Sequence, residues 1–164
     1  MNPEPEQRAR LLALARIVAK ECRHLAGTDS RPFSHPFTPE RAESLEQDPD
    51  LAARVDAFVG RYGRLQDTLG DKLLPRLLAA LGEPVGAAMD NLDRAERLGF
   101  IPDADEWAAM RRLRNQMVHE YVEDPAILAD ALEAGHAHTR TLLDAAAAML
   151  GEIDRRGWKL ETSA

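Results

Sequence analysis

The sequence predicts an all-α protein, a helical bundle with about five main helices. Hydrophobic residues make up 45% of the 164 residues and aromatic residues only 5%, while alanine and leucine are abundant, a composition that favours helices over sheets. Apolar residues recur every three or four positions, and no segment alternates apolar and polar residues as a half-buried strand does. The length fits one domain, so we expect a single helical domain over residues 1–164.

The first helix is predicted over residues 6–26, after a polar arm that contains prolines. Gly27 ends it, and residues 28–38 contain so many helix breakers that they predict a proline-rich loop, ordered or mobile. Residues 1–5 and 158–164 are expected to be flexible ends. The apolar residues of this helix follow a coiled-coil-like spacing, at Leu11, Ala15, Val18, Cys22 and Leu25.

Two helices are predicted to begin with a capping residue followed by proline, at Thr38 and at Asp48. The second is the longest. Pro75 lacks an amide hydrogen and clashes with the carbonyl four residues back, so we expect a kink or break near Asp71 before the helix stops at Gly82. The buried stripe of this helix is predicted at Leu51, Val55, Phe58, Tyr62, Leu65, Leu69 and Leu73, continued by Leu77 and Leu81.

Two further helices are predicted from the same periodicity. Residues 84–98 are expected to bury Val85, Met89, Leu92 and Ala95, and the last helix follows Pro125 and frays after Ile153. Small residues on the last helix should let a neighbouring helix approach closely. Its buried face is predicted at Leu128, Ala131, Gly135, His138, Leu142, Ala145 and Met149.

The segment between these two helices, DADEWAAMRRLRNQMVHEYVEDP from Asp103 to Pro125, places a charge where a helix's buried stripe should be apolar. Asp103 can cap the helix while Glu106 reaches back, as in a capping box. With 100° per residue, Arg114 falls within the apolar side of this helix. That side consists of Trp107, Met110, Leu113, Met117, Val118 and Tyr121.

The same segment carries a motif, R-N-x-x-x-H-x-Y, formed by Arg114, Asn115, His119 and Tyr121. Its R-x4-H-x-Y form, with the preceding Trp107 and the flanking helices, resembles the HEPN superfamily and in particular its HepT-like toxin branch. The resemblance covers about residues 55–149 and depends mostly on this motif.

The resemblance implies a metal-independent endoribonuclease without a cofactor, whose active site forms at a homodimer interface from Arg114 and His119 of both subunits. It further implies a toxin of a toxin-antitoxin pair. Its partner would be an MNT-type nucleotidyltransferase antitoxin, and Tyr121 matches the tyrosine that such a partner adenylylates.

The residue chemistry is compatible with this function. Arg114 and His119 point about 140° apart on an ideal helix. A second copy related by a two-fold axis would help to bring an arginine and a histidine to one phosphate. His119 can exchange a proton with the ribose 2′-hydroxyl or the leaving 5′-oxygen, since its ordinary pKa is about 6.5. Arg114 can hold phosphoryl oxygens bidentately, and Asn115 can orient the imidazole or the substrate.

Each residue also has a simpler interpretation. Arg114 can pair with an acidic residue, and His119 can be a cation favoured at a helix C-terminus. Tyr121 can be a packing residue, and Arg111 and Arg112 are either a solvated face or RNA contacts. At the level of function, the alternatives are a noncatalytic module that binds nucleotide or a partner beside a nucleotidyltransferase, and a structural dimer.

Composition excludes several other classes. The net charge of −7 argues against nonspecific nucleic-acid binding, so RNA would need a local patch. Cys22 is the only cysteine and cannot form an internal disulfide, and the absence of a signal peptide or long apolar run predicts a cytoplasmic protein without membrane association. His136 and His138 lie about 200° apart on a helix and therefore cannot chelate one metal as an i, i+4 pair would.

Overall fold

A computed structural model describes residues 2–119 and 123–158, except for the side chain of His119, and in this part of the chain helices are joined by turns and irregular segments, without a strand. A 3₁₀ turn, Ser44–Gln47, follows α2, and a π-helical segment, Thr68–Leu73, joins α3 to α4. Because α3, the π-helical segment and α4 are continuous, the described residues form six helical rods. The helices are α1 (Pro5–Asp29), α2 (Pro39–Glu43), α3 (Pro49–Asp67), α4 (Leu74–Ala80), α5 (Ala88–Arg97), α6 (Ala104–His119) and α7 (Pro125–Arg155).

The predicted all-α class is confirmed, and α3 lies at the centre of the bundle. It packs against α1, α6 and α7, while α7 also contacts α1, α2 and α6. On α1 the residues at heptad intervals, Leu11, Val18 and Leu25, are fully buried. The intervening Ala15 and Cys22 are only half-buried, since a straight helix keeps one residue per two turns pointing at the core.

The predicted loop is packed onto the last helix. α1 continues two residues past Gly27, to Asp29, whose carboxylate lies 2.8 Å from Nδ1 of His136. Phe33 stacks on the His136 ring at 4.2 Å and meets the Phe58 ring edge-on at 4.9 Å. Aromatic packing therefore holds this connection in place despite its many helix breakers.

The long helix changes character near Asp71, where the sequence predicts a kink or break, but the rod stays continuous. The change takes the form of the π-helical segment Thr68–Leu73, and α4 then begins with Pro75 in its first turn. A widened turn suits this position because Pro75 has no amide hydrogen to donate to the preceding turn. Gly82 ends α4 with a positive φ of 76°, a conformation that favours glycine.

The prediction for residues 84–98 is partly wrong. Leu92 and Ala95 are buried, but Val85 and Met89 are 49% and 42% exposed. α5 begins only at Ala88, because the preceding residues form a turn in which the Asn91 side chain bonds both the amide and the carbonyl of Gly86. Val85 therefore lies outside any helix, and Met89 lies in a first turn that no other element covers.

α7 begins as predicted, with the Asp124 carboxylate accepting hydrogen bonds from the amides of the first turn. Its small residues admit a neighbour closely: a Cβ on Gly135 would lie 3.0 Å from Sδ of Met117. His138, predicted to be in the core, is only half-buried. Pro3 and Trp158, which fall within the predicted flexible ends, are both buried.

None of the helices in the two described ranges combines the length and apolar character needed to cross a lipid bilayer.

Candidate functional site

α6 carries most of the predicted site residues, and its start is set by Asp103. The Asp103 carboxylate accepts hydrogen bonds from the amides of Asp105 at 2.7 Å and Glu106 at 3.3 Å, as an N-cap does. Glu106 does not complete the predicted capping box. Its half-buried carboxylate faces α7 instead, where the Thr141 hydroxyl donates to it at 3.2 Å and Nδ1 of His138 lies 3.4 Å away.

The apolar stripe of α6 is buried over Trp107, Met110, Leu113 and Met117 but does not continue to the end of the helix. Val118, predicted to be buried, is 51% exposed. The last turn of α6 therefore presents an apolar side chain to solvent within the described structure.

Arg114 lies at the edge of this stripe and has a partner in its own chain. Its Nη2 atom lies 3.1 Å from Oδ2 of Asp67 on α3, and its side chain is 35% exposed. Gly63, one turn earlier on α3, makes room for it, because a Cβ there would lie 2.9 Å from Nε of Arg114. The pairing with Asp67 satisfies the charge, which therefore does not itself require a second subunit.

Arg111 forms the next ion pair along the same contact, with Asp71 in the π-helical segment. Gly70 faces it: a Cβ there would lie 3.1 Å from Nε1 of Trp107 and 3.5 Å from Nη2 of Arg111. Arg111 is therefore an ion-paired residue that stays 34% exposed, and the choice between a solvated face and an RNA contact stays a prediction. Arg112 and Asn115 are exposed and make no hydrogen bond or ion pair within the described residues.

These contacts form one antiparallel ladder between α3 and α6, in which Asp67 pairs with Arg114 and Asp71 with Arg111. Reasoning from the sequence missed both carboxylates and both glycines. The usable signal was a pair of interior helical glycines, Gly63 and Gly70, because such residues weaken a helix unless a neighbour must approach closely.

Arg111, Arg112, Arg114 and Asn115 lie within five consecutive positions of α6, and we call these four residues the candidate site. Arg112 and Arg114 point about 200° apart around the helix, so the α6 backbone alone does not direct all four side chains to one point. His119 is the last residue of α6, so its backbone adjoins the site, but its side chain lies outside the described residues. Tyr121 also lies outside them. The mutual geometry of Arg114, His119 and Tyr121 therefore stays a prediction.

The ion pairs leave hydrogen-bond donors free for a ligand. A guanidinium has five N–H donors in a planar fork, and the contact with Asp67 is made by Nη2 of Arg114 at 3.1 Å. With about a third of its side chain exposed, Arg114 can still present donors outward while Asp67 fixes its position. An anionic ligand with several oxygens, such as a phosphodiester, suits this arrangement.

Behind the ladder, burial raises the pKa of Tyr62 well above its ordinary value, and the nearby Glu106 carboxylate raises it further. The Tyr62 hydroxyl therefore stays neutral and is a structural group. No group of three or more His, Cys, Asp or Glu residues is placed to hold a metal ion within the described ranges. His136 and His138 contact separate carboxylates, those of Asp29 and Glu106.

No family model, curated protein or solved structure matches the chain. The functional interpretation therefore depends on the residues of the candidate site and on the R-x4-H-x-Y motif, which begins at Arg114.

Proposed function

We propose that the protein is a metal-independent endoribonuclease that acts as the toxin of a toxin-antitoxin pair. The observation that carries the proposal is Arg114, partly exposed and held by Asp67, one helical turn and one residue before His119 at the end of α6. The motif pairs a phosphate-binding fork with a group that can transfer protons near neutral pH, which are the two requirements for cleaving RNA without a metal.

In the proposed reaction, one His119 removes the proton of a ribose 2′-hydroxyl, and the 2′-oxygen attacks the adjacent phosphorus. The bond from phosphorus to the 5′-oxygen breaks, and a second His119 donates a proton to that oxygen. Arg114 binds the nonbridging oxygens, whose negative charge grows in the transition state. The products are a 2′,3′-cyclic phosphate and a free 5′-hydroxyl. Asn115, Arg111 and Arg112 contact the neighbouring nucleotides.

The homodimer is part of the proposal because one straight helix directs Arg114 and His119 about 140° apart. A two-fold axis beside the last turns of α6 would place both residue types from both subunits around one cleft. Val118 in that turn is 51% exposed, and a dimer contact there would cover it.

The proposed partner is an MNT-type nucleotidyltransferase antitoxin that adenylylates Tyr121. An adenylyl group two residues from His119 would add negative charge and bulk beside the cleft, and either effect would hinder RNA binding.

A second candidate function is a noncatalytic module that binds nucleotide or partner beside a nucleotidyltransferase. The ion pairs of Arg111 and Arg114 with Asp71 and Asp67 favour it, because each pairing lowers the positive charge offered to RNA in a chain of net charge −7.

RNA cleavage and RNA affinity, measured on the same preparations, distinguish the nuclease from the noncatalytic module. With chelator present, the nuclease proposal expects wild type to cut RNA and His119→Ala to lower cleavage by about a hundred- to ten-thousand-fold with little change in affinity. Arg114→Lys should lose cleavage as well, because a point charge cannot replace the fork. Arg97→Lys, an exposed arginine outside the site, is the matched control and should keep wild-type activity.

The same experiment can reject the proposal. Equal residual cleavage in wild type and both site variants would indicate a contaminant nuclease, and activity that appears only with added magnesium would exclude the His and Arg mechanism. Loss of ligand or partner binding without any cleavage would favour the module. A monomer mass by light scattering at micromolar concentration would exclude the dimeric site, and adenylate-sized mass shifts that survive Tyr121→Phe would exclude that modification site.

A further inference from the structure

A groove of about 760 Å³ runs along the surface. α1 forms one side of it, and the π-helical segment, α4 and Val85 form the other. Its floor and walls are small or apolar: Ala13 and Leu14 on one side, Pro75, Ala79 and Val85 on the other. Val85 is about half exposed and Ala79 is exposed, so the described structure leaves this apolar surface open to solvent. Ile17, 47% exposed, lies one turn beyond Leu14 on the same face of α1 and extends the apolar strip.

The rim of the groove is basic although the chain as a whole is acidic. Arg10, Lys72 and Arg76 line it. Arg10 pairs with Glu6, whereas Lys72 and Arg76 form no ion pair with any residue in the described ranges. The carboxylate that lines the rim within the described ranges, Asp71, is already paired with Arg111. In a chain of net charge −7, a cluster of cations around an apolar groove favours an occupant that is itself acidic and apolar.

The shape and chemistry of the groove select among acidic occupants. Among the described residues no aromatic side chain lines it, so single-stranded nucleic acid would find no stacking platform in this part of the surface. Its alanines keep the floor shallow, which lets a helix lie close to the backbone of α1 and α4. A second copy docked groove to groove would bring Arg10, Lys72 and Arg76 next to their own symmetry mates, an arrangement that like-charge repulsion disfavours.

We propose that this groove binds an amphipathic helix of a partner protein, one that presents an apolar stripe flanked by carboxylates. The apolar residues of the helix lie on Ala13, Leu14, Ala79 and Val85, and its carboxylates pair with Lys72 and Arg76. The inference is independent of the proposed ribonuclease function. Because Asp71 belongs both to the groove and to the Arg111 pair, the bound helix would adjoin the candidate site.

The test uses the full-length protein and a fluorescein-labelled helical peptide of about 18 residues, with leucines at i, i+3, i+4 and i+7 and glutamates on both flanks. A second peptide carries lysine in place of each glutamate. Lys72→Glu/Arg76→Glu reverses the charge of the rim. Arg54→Glu/Arg97→Glu makes the same charge change at exposed positions outside the groove. Ala79→Gln fills the floor without adding charge, with Ala53→Gln as its control at another exposed helical position.

By fluorescence anisotropy, the acidic peptide should bind at least about tenfold more tightly than the basic one, and Lys72→Glu/Arg76→Glu should weaken it by about tenfold. Ala79→Gln should weaken it by about fivefold, and both control variants should stay within about twofold of wild type. Similar binding of the two peptides, or equal weakening by both charge variants, would overturn the proposal. So would concentration-dependent self-association without peptide that Lys72→Glu/Arg76→Glu abolishes, since the occupant would then be a second copy.

Discussion

Replacing Gly63 with alanine should disturb Arg114 from the opposite side of the α3–α6 contact. Alanine in a helix interior is favoured over glycine by about 0.5–1 kcal/mol, so the substitution would ordinarily stabilise α3. At Gly63, however, the new Cβ would lie 2.9 Å from Nε and 3.3 Å from Cγ of Arg114, both in the middle of that side chain. Overpacking of this kind costs about 1–3 kcal/mol. We therefore expect Gly63→Ala to range from near neutral to about 2 kcal/mol destabilising.

Gly60→Ala is the matched control, because it lies in the same helix and its Cβ would meet only the flexible end of Arg64, at 3.5 Å. It should stabilise the protein by about 0.5–1 kcal/mol. In an Arg114→Ala background the obstacle is gone, and Gly63→Ala should regain the same benefit, which gives a coupling energy of about 1–3 kcal/mol. Urea unfolding followed by circular dichroism, at one fixed protein concentration, measures all of these quantities.

The reasoning is refuted if Gly63→Ala stabilises the protein as much as Gly60→Ala does, or if the two substitutions at Gly63 and Arg114 are additive. Either result would mean that Arg114 moves aside freely. The same variant carries a functional expectation: a displaced guanidinium should lower RNA cleavage in Gly63→Ala and leave it unchanged in Gly60→Ala.

Three other predictions follow from burial. Burial raises the pKa of Cys22 to about 11, so at about pH 8 iodoacetamide should alkylate it about a hundredfold more slowly than an exposed thiol, and full speed in the native protein would contradict this. Burial also raises the pKa of Glu21, so the folded state holds the carboxyl proton more tightly than the unfolded state does. The free energy of unfolding should therefore fall as pH rises from the unfolded pKa of about 4.3 through the raised pKa of the folded state. Glu21→Gln should lessen that fall between about pH 4 and about pH 7. Urea midpoints that change with pH by the same amount in wild type and Glu21→Gln would contradict this role of Glu21. Trp158→Ala should cost about 3–5 kcal/mol because the indole is 3% exposed, whereas a loss under about 1 kcal/mol would mean that this end of the chain contributes little to the core.

Local sequence signals predicted several helix starts well because three of them carry a capping residue followed by proline. Thr38, Asp48 and Asp124 all cap helices through their side chains. The error at Val85 arises because a turn replaces the predicted helix there, whereas the errors at Met89 and Val118 have a common cause. Periodicity identifies an apolar face, but only the arrangement of neighbouring helices determines whether that face is covered at the end of an element.

The candidate site was harder to predict because half of it is far away in sequence. The motif drew attention to Arg114, but Asp67 lies 47 residues before it and Asp71 lies 40 residues before Arg111. A carboxylate at an ordinary helical position carries no sign of which arginine it will meet. That pairing depends on how α3 and α6 cross, which follows from the packing of the whole bundle.

The π-helical segment Thr68–Leu73 also keeps the apolar residues of the long helical rod in phase. Leu65, Leu69, Leu73 and Leu77 follow one another at intervals of four and are all fully buried. On a straight α-helix each such interval rotates the side chain by about 40°, so the last of the four would point about 120° away from the first. A wider turn holds more residues per revolution and cancels part of this drift. It thereby keeps Asp67 and Asp71, also four apart, directed towards α6. Removing one residue from this segment would shift the phase of everything after it, separating the leucines of α4 from the core and leaving Arg111 without its carboxylate.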